Sequence, residues 1–282
     1  MQHTATLASR LAPAAALNAA RAPALLLGAV GGVAIFLPLV LTLYLSVFDE
    51  TLIQFPPRGY TLAWYARIIP NFGAALATSL ELAVVATLLS LAFGIPAGIG
   101  LARHRFRGRA AVSALLLAPL TVPGVAIGLG IAVVAVLIEE ATQVPLSGSL
   151  LVLVVAHLLV TVPWVVRLCL AGLVNHDGSA EEAAASLGAA PWRVIWRVTL
   201  PAMRSGIVAG GLFAFIASFG NLDTTYFLIA PGMTTLPIAV LQYLQYHLDP
   251  LIAAVAVAQM ALITAALLLL DRFVRLGQVV RT

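Results

Sequence analysis

Lysine is absent from the 282 residues, and all 15 basic side chains are arginines. A phosphate-binding loop of the GxxxxGK[ST] kind needs a lysine to reach the β and γ phosphates, so the chain carries no nucleotide site of that kind. Any ATP-driven work belongs to a partner. Charge is also scarce, at 9% of residues against roughly 25% in an average soluble domain. Hydrophobic residues make up 62% and the mean hydropathy is +1.05. A soluble fold of this length could not hide so much apolar surface, so lipid is the expected solvent for most of it. The one cysteine, Cys169, excludes an intramolecular disulfide and a thiolate metal cluster. Within an apolar run it reads as a buried, inert thiol. No clustered acid/base or metal-ligating constellation of a membrane enzyme can be assembled.

What is present is long apolar runs. Taking a span as roughly 20 apolar residues, six emerge: Leu25 to Phe48, Leu80 to Leu101, Val112 to Ile138, Leu150 to Leu170, Gly206 to Ile229 and Leu251 to Leu270. The expected fold is all-α and polytopic, with a six-span domain over 25–271 between an N-terminal tail, 1–24, and a C-terminal tail, 272–282. The first run follows Arg10 and Arg21, lacks a small-residue cleavage signal and reads as a retained span. Pro38, Pro96, Pro119, Pro123 and Pro163 lie inside runs, so kinked helices packed against protein are expected.

Arginine placement predicts orientation. Both tails, the loop 102–111 and the segment 171–205, with Arg167 counted beside it, hold 13 arginines, whereas the opposite side has only Arg58 and Arg67. Both termini are therefore expected in the cytoplasm. The run RHRFRGR, Arg103 to Arg109, sits in a short loop between spans and reads as an inner-leaflet anchor rather than a nucleic-acid patch.

The polar interval 173–204 stands out. Ser179 and Glu182 form an S-x-x-E helix start, Glu181 and Glu182 suit the positive end of the helix dipole, and Ala183 to Ala185 are strong helix formers without bulk. Gly188 can take positive φ and stop the helix. Pro191 suits the first turn of a second, amphipathic helix, with Trp192 and Trp196 at interfacial spacing and Pro201 near its end. On physics alone this is either a partner-docking device or a surface-lying connector.

Glu182, Ala183, Ala184, then Gly188, then Val198, Thr199, Leu200 and Pro201 resemble the pattern EAA-x3-G-x9-I-x-LP, with Val198 where isoleucine is usual. That pattern marks the permease subunits of binding-protein-dependent ABC importers. FPPRGYTLAWYARI (55–68), ARHRFRGR (102–109), APLTVPGVAIG (118–128) and FIASFGNLDTTYFLIAPGMTTLP (215–237) are similar to the spermidine/putrescine-type subgroup. The resemblance implies a MetI-like type I importer permease in a bacterial inner membrane. It implies as partners a cytoplasmic ATPase dimer that binds ATP and Mg, a second permease subunit of a different chain, and an extracytoplasmic solute-binding protein. No cofactor is implied in this chain. Glu181, Glu182, Ala183, Ala184, Gly188, Leu200 and Pro201 would form the coupling segment to the ATPase.

The fifth span carries Ser218, Asn221, Asp223 and Tyr226 toward its outer end, where an intramembrane carboxylate suggests a solute path or an interfacial residue. Polyamine-type permeases often carry two acidic residues after SF, whereas this chain reads SFGNLD. That departure leaves 2-aminoethylphosphonate, ferric iron or a sulfate-like anion open beside a polyamine. A stand-alone secondary transporter would need paired broken helices with deep coupling charges; the deep charges here are few. His157, alone in an apolar span, reads as a hydrogen-bonded packing residue. Glu139 and Glu140 mark the outer mouth, and 236–248 a short re-entrant or interfacial helix.

Overall fold

The computed structural model describes residues 25–50, 54–174, 176, 178–230 and 232–274. The expected tail 1–24 and most of the expected tail 272–282 lie outside them. The chain divides into two compact units, one of residues up to Ala66 with Leu248–Ala258, the other of Arg67–His247 with the residues from Gln259 onward.

In the smaller unit, α1 (Leu25–Leu45) is apolar all round and has none of its most hydrophobic stretch buried, as a lipid-facing or partner-facing helix requires. Below it a small aromatic knot forms around Phe48, which is fully buried. The Trp64 indole N–H donates to the Phe48 carbonyl at 2.6 Å, and the Tyr44 ring stands edge-on to Phe48 at 4.9 Å.

The larger unit contains most of α2 (Ala63–Arg103), then α3 (Arg109–Leu117), α4 (Gly124–Thr142), α5 (Leu150–Val174), α6 (Ser179–Ser186), α7 (Pro191–Ala202), α8 (Arg204–Phe219) and α9 (Leu236–Leu244). The last helix, α10 (Leu251–Val274), continues into the segment expected as a tail. Among the described residues five helices are long and apolar enough to cross a bilayer, and α7 with α8, bent by 71°, makes a sixth if counted as one span. The fold is all-α and polytopic.

Three expected spans are redrawn. The second begins 17 residues earlier than Leu80, because α2 is a 41-residue helix; at 1.5 Å per residue it is roughly 60 Å long, about twice a hydrocarbon core. The third, Val112 to Ile138, is broken. Pro123 has no amide to donate and drives Val122 out of helical geometry, so α3 closes in a 3₁₀ turn at Ala118–Leu120 and α4 starts afresh at Gly124. The fifth stops at Phe219 rather than Ile229. There Asn221 turns its side-chain oxygen onto the Thr224 amide at 3.1 Å, a local bond that competes with helix continuation.

Helices α5 and α8 form the centre of this unit. A Cβ on Gly206 would collide with the Leu168 carbonyl, so only glycine permits the approach. Such small-residue contacts let backbones meet where no hydrophobic force separates lipid from protein. Val165, Cys169, Met203 and Ala214 are buried completely beside them. Cys169 is thus the buried thiol expected.

Candidate functional site

Two polar regions stand out, and both lie within the larger unit. The first is built on α6. Its N-cap is Gly178, with φ 86°, so Ser179 is the first helical residue rather than the cap expected of it. Gly188 sits at φ 81° and stops the helix as expected. The amide of Ala189 reaches back to the Ala184 carbonyl at 3.1 Å, and that of Gly188 to Ala185 at 2.9 Å, which together satisfy the orphan carbonyls of the last turn. Pro191 then opens α7. That helix widens into a π segment over Ile195–Thr199 and bends away at buried Met203, two residues beyond Pro201.

The two glutamates at the head of α6 part company. Glu182, Ala183 and Ala185 are exposed and Ala184 is half-buried, while Leu187 beyond them is 89% exposed. Glu181 turns inward. Its Oε2 lies 2.9 Å from Arg103 Nε in an ion pair whose N–H is not aligned as a hydrogen bond, and its Oε1 accepts from Thr199 Oγ1 at 2.8 Å. Arg103 Nη1 also donates to the His176 carbonyl, and His176 Nε2 donates to the Ala202 carbonyl, each at 3.0 Å. Leu200 packs into the α5–α8 core, whereas Pro201 is exposed. Sequence reasoning missed Arg103, His176 and Thr199. Arg103 registered there only as one of a row of positive charges.

The second region is a cavity of about 410 Å³ where the two helix breaks meet. Its wall includes Pro119, Gly124, Trp164, Asn221 and Asp223. The segment 220–228 lies directly on α4, since a Cβ on Gly128 would collide with the Thr224 carbonyl. Of the four residues expected on a solute path, Asn221 and Asp223 face this cavity, but from an irregular segment beyond α8 and not from the span itself. Ser218 instead faces His157, whose Nδ1 lies 2.7 Å from its hydroxyl. Nε2 of the same ring lies 3.1 Å from Thr225 Oγ1, and Thr225 Oγ1 donates to the Asn221 carbonyl at 3.0 Å. Thr161 and Ser90 extend the chain of bonds. Buried polar groups satisfied in this way fix the irregular segment, and His157 is the packing residue expected. Tyr226 is half-exposed against Phe227. Glu139 accepts the amides of Leu146 and Ser147 and so closes its own turn. Among the described residues no group of three His, Cys, Asp or Glu could hold a metal.

Residues 94–276 match the family described as binding-protein-dependent transport system inner membrane component. The chain belongs to that family. It is a multi-pass bacterial membrane protein and a permease subunit of an ABC-type importer for a small polar solute. The putrescine transport system permease protein PotI of Escherichia coli (strain K12) is 30% identical over 220 residues, 77% of this chain and 78% of that one. The molybdenum transport system permease protein ModB of Mycobacterium tuberculosis is 34% identical over 217 residues, 73% of this chain and 81% of its own. The fold is shared with a bacterial alginate ABC transporter solved in complex with an alginate pentasaccharide-bound periplasmic protein. That match has a TM-score of 0.66 and 18% identity, covering 89% of this chain and 93% of the other. These relatives carry chemically different solutes, so membership of the family fixes the machine and not the cargo.

Proposed function

We propose that this permease carries a polyamine such as putrescine or spermidine. The observation behind the proposal is Asp223, an exposed carboxylate on the wall of the cavity between the two helix breaks. No arginine lines that wall to cancel its charge. A lone carboxylate beside neutral Asn221 and Thr224 attracts an ammonium group without trapping it, as conduction through a path demands. The similarity to PotI points the same way. The similarity, at 29% identity over 247 residues, to the putative 2-aminoethylphosphonate transport system permease protein PhnV of Salmonella typhimurium supports a second reading, a zwitterionic cargo such as 2-aminoethylphosphonate, for which Asn221 and the threonines would supply neutral donors.

The coupling reading goes with it. Glu182, Ala183, Ala184 and Gly188 form the face that docks on a cytoplasmic ATPase subunit, where ATP and Mg are bound. Small alanines permit close approach, and exposed Leu187 supplies an apolar anchor at the end of that face. Both termini and α6 lie in the cytoplasm on the arginine asymmetry. A second permease of different sequence completes the pathway, and an extracytoplasmic binding protein delivers the solute.

Uptake of labelled putrescine into proteoliposomes holding the assembled complex tests the cargo. ATP-dependent uptake is expected, and Asp223→Asn should weaken the apparent affinity about fivefold, the equivalent of ~1 kcal/mol for a solvated charge pair. Uptake of 2-aminoethylphosphonate but not putrescine would establish the second reading, and uptake by the chain without ATPase subunits would overturn the class.

A further inference from the structure

We infer that Arg103 is a positioning residue for energy coupling, a strut that carries displacement of α6 directly to α2. The inference rests on the reading of α6 as the ATPase-docking helix and deepens it.

Four segments of distant sequence converge on one ion pair. Arg103 is the last residue of α2, Glu181 lies in the first turn of α6, Thr199 closes the π segment of α7, and His176 follows α5. The two charged side chains are only 20% and 18% exposed, and Thr199 is 2% exposed. A pair withdrawn from water to this degree, with Thr199 donating to Glu181 Oε1 and Arg103 Nη1 donating to the His176 carbonyl, holds its geometry better than a solvated pair. Successive residues on a helix point about 100° apart. Adjacent glutamates therefore serve different faces, Glu182 outward and Glu181 inward to the strut.

The alternative route for force runs along the chain through α7 into α8. That route is compliant, because it passes a π segment and then the 71° bend at Met203. The route through Arg103 has no such joint. It enters the 41-residue α2 at its end, and α2 is seated against α5 so closely that a Cβ on Gly98 would meet the Cys169 Cβ at 2.9 Å. A docking movement of α6 then moves α2 as a lever, while α8 follows through the softer joint.

The test uses the assembled complex in proteoliposomes, with Cys169→Ser and spin labels at Ala92→Cys on α2 and Ala185→Cys on α6, both exposed positions. The interlabel distance is measured without nucleotide and with ATP, Mg and vanadate. One narrow distribution, the same in both states, is expected. Arg103→Gln should broaden it and shift it by about 2 Å or more between states, and Arg103→Glu combined with Glu181→Arg should restore the native distribution. An unaltered distribution in Arg103→Gln overturns the strut. If Arg103→Gln fails to assemble, the charge-exchanged pair decides, a native distribution supporting the strut and a broadened one overturning it. Co-purification of the ATPase with Ala184→Trp tests docking separately. Normal co-purification overturns the docking reading itself, whereas lost co-purification with an unaltered Arg103→Gln distribution overturns only the strut.

Discussion

Gly188 shows how much one residue's backbone can decide. It has open space where a side chain would go, so a larger residue meets no clash, but its φ of 81° is closed to β-branched residues. Gly188→Val should cost ~1–2 kcal/mol at the turn, which redirects α7 relative to α6 without disturbing the spans. The expected result is a protein inserted at normal yield whose complex hydrolyses ATP but no longer accumulates solute. ATPase and uptake assays on the same vesicles check it, and tight coupling in the variant would sink the idea. Gly188 was readable from sequence because a glycine after an alanine helix has a local reason to be there. Arg103 was not, since its partners lie 73 and 78 positions away and nothing local distinguishes it from Arg105 or Arg107.

Among the elements, the helix breaks matter most. Continuous apolarity from Val112 to Ile138 reads as one span, and the two prolines within it were expected only to kink it. The break at Thr121–Pro123 and the stop at Gly220 together make the cavity that Asn221 and Asp223 line. Pro123→Ala restores an amide and frees Val122 to be helical, a change worth up to ~3 kcal/mol in a helix interior. Helices α3 and α4 should then tend to join and the cavity to close. The rate at which a water-soluble thiol reagent labels Asn221→Cys, in a Cys169→Ser background, is expected to fall severalfold. An unchanged rate would mean that the contacts of the 220–228 segment, and not the proline, hold the break open. Hydropathy windows could not show this, because a broken and an unbroken run have the same composition.

For the molecule as a whole, the arginine asymmetry predicts that a phosphatase fused after Thr282 will be inactive, and one inserted between Arg58 and Gly59 active, since the enzyme needs the oxidising outer compartment. The reverse pattern would invert the topology and with it the docking reading. The sequence alone determined the class of structure. Its apolar content demands lipid, its absent lysine sends the ATP site elsewhere, and the EAA and Gly spacing singled out α6. These are properties of composition and short spacing, which local chemistry enforces. Only the tertiary structure decided which of two adjacent glutamates faces outward, that Ser218 is spent on His157 while Asp223 meets the cavity, and that α2 and α6 are joined at Arg103. Those outcomes depend on which distant segments come together, and long-range packing of this kind leaves no periodic mark along a chain that is apolar almost everywhere.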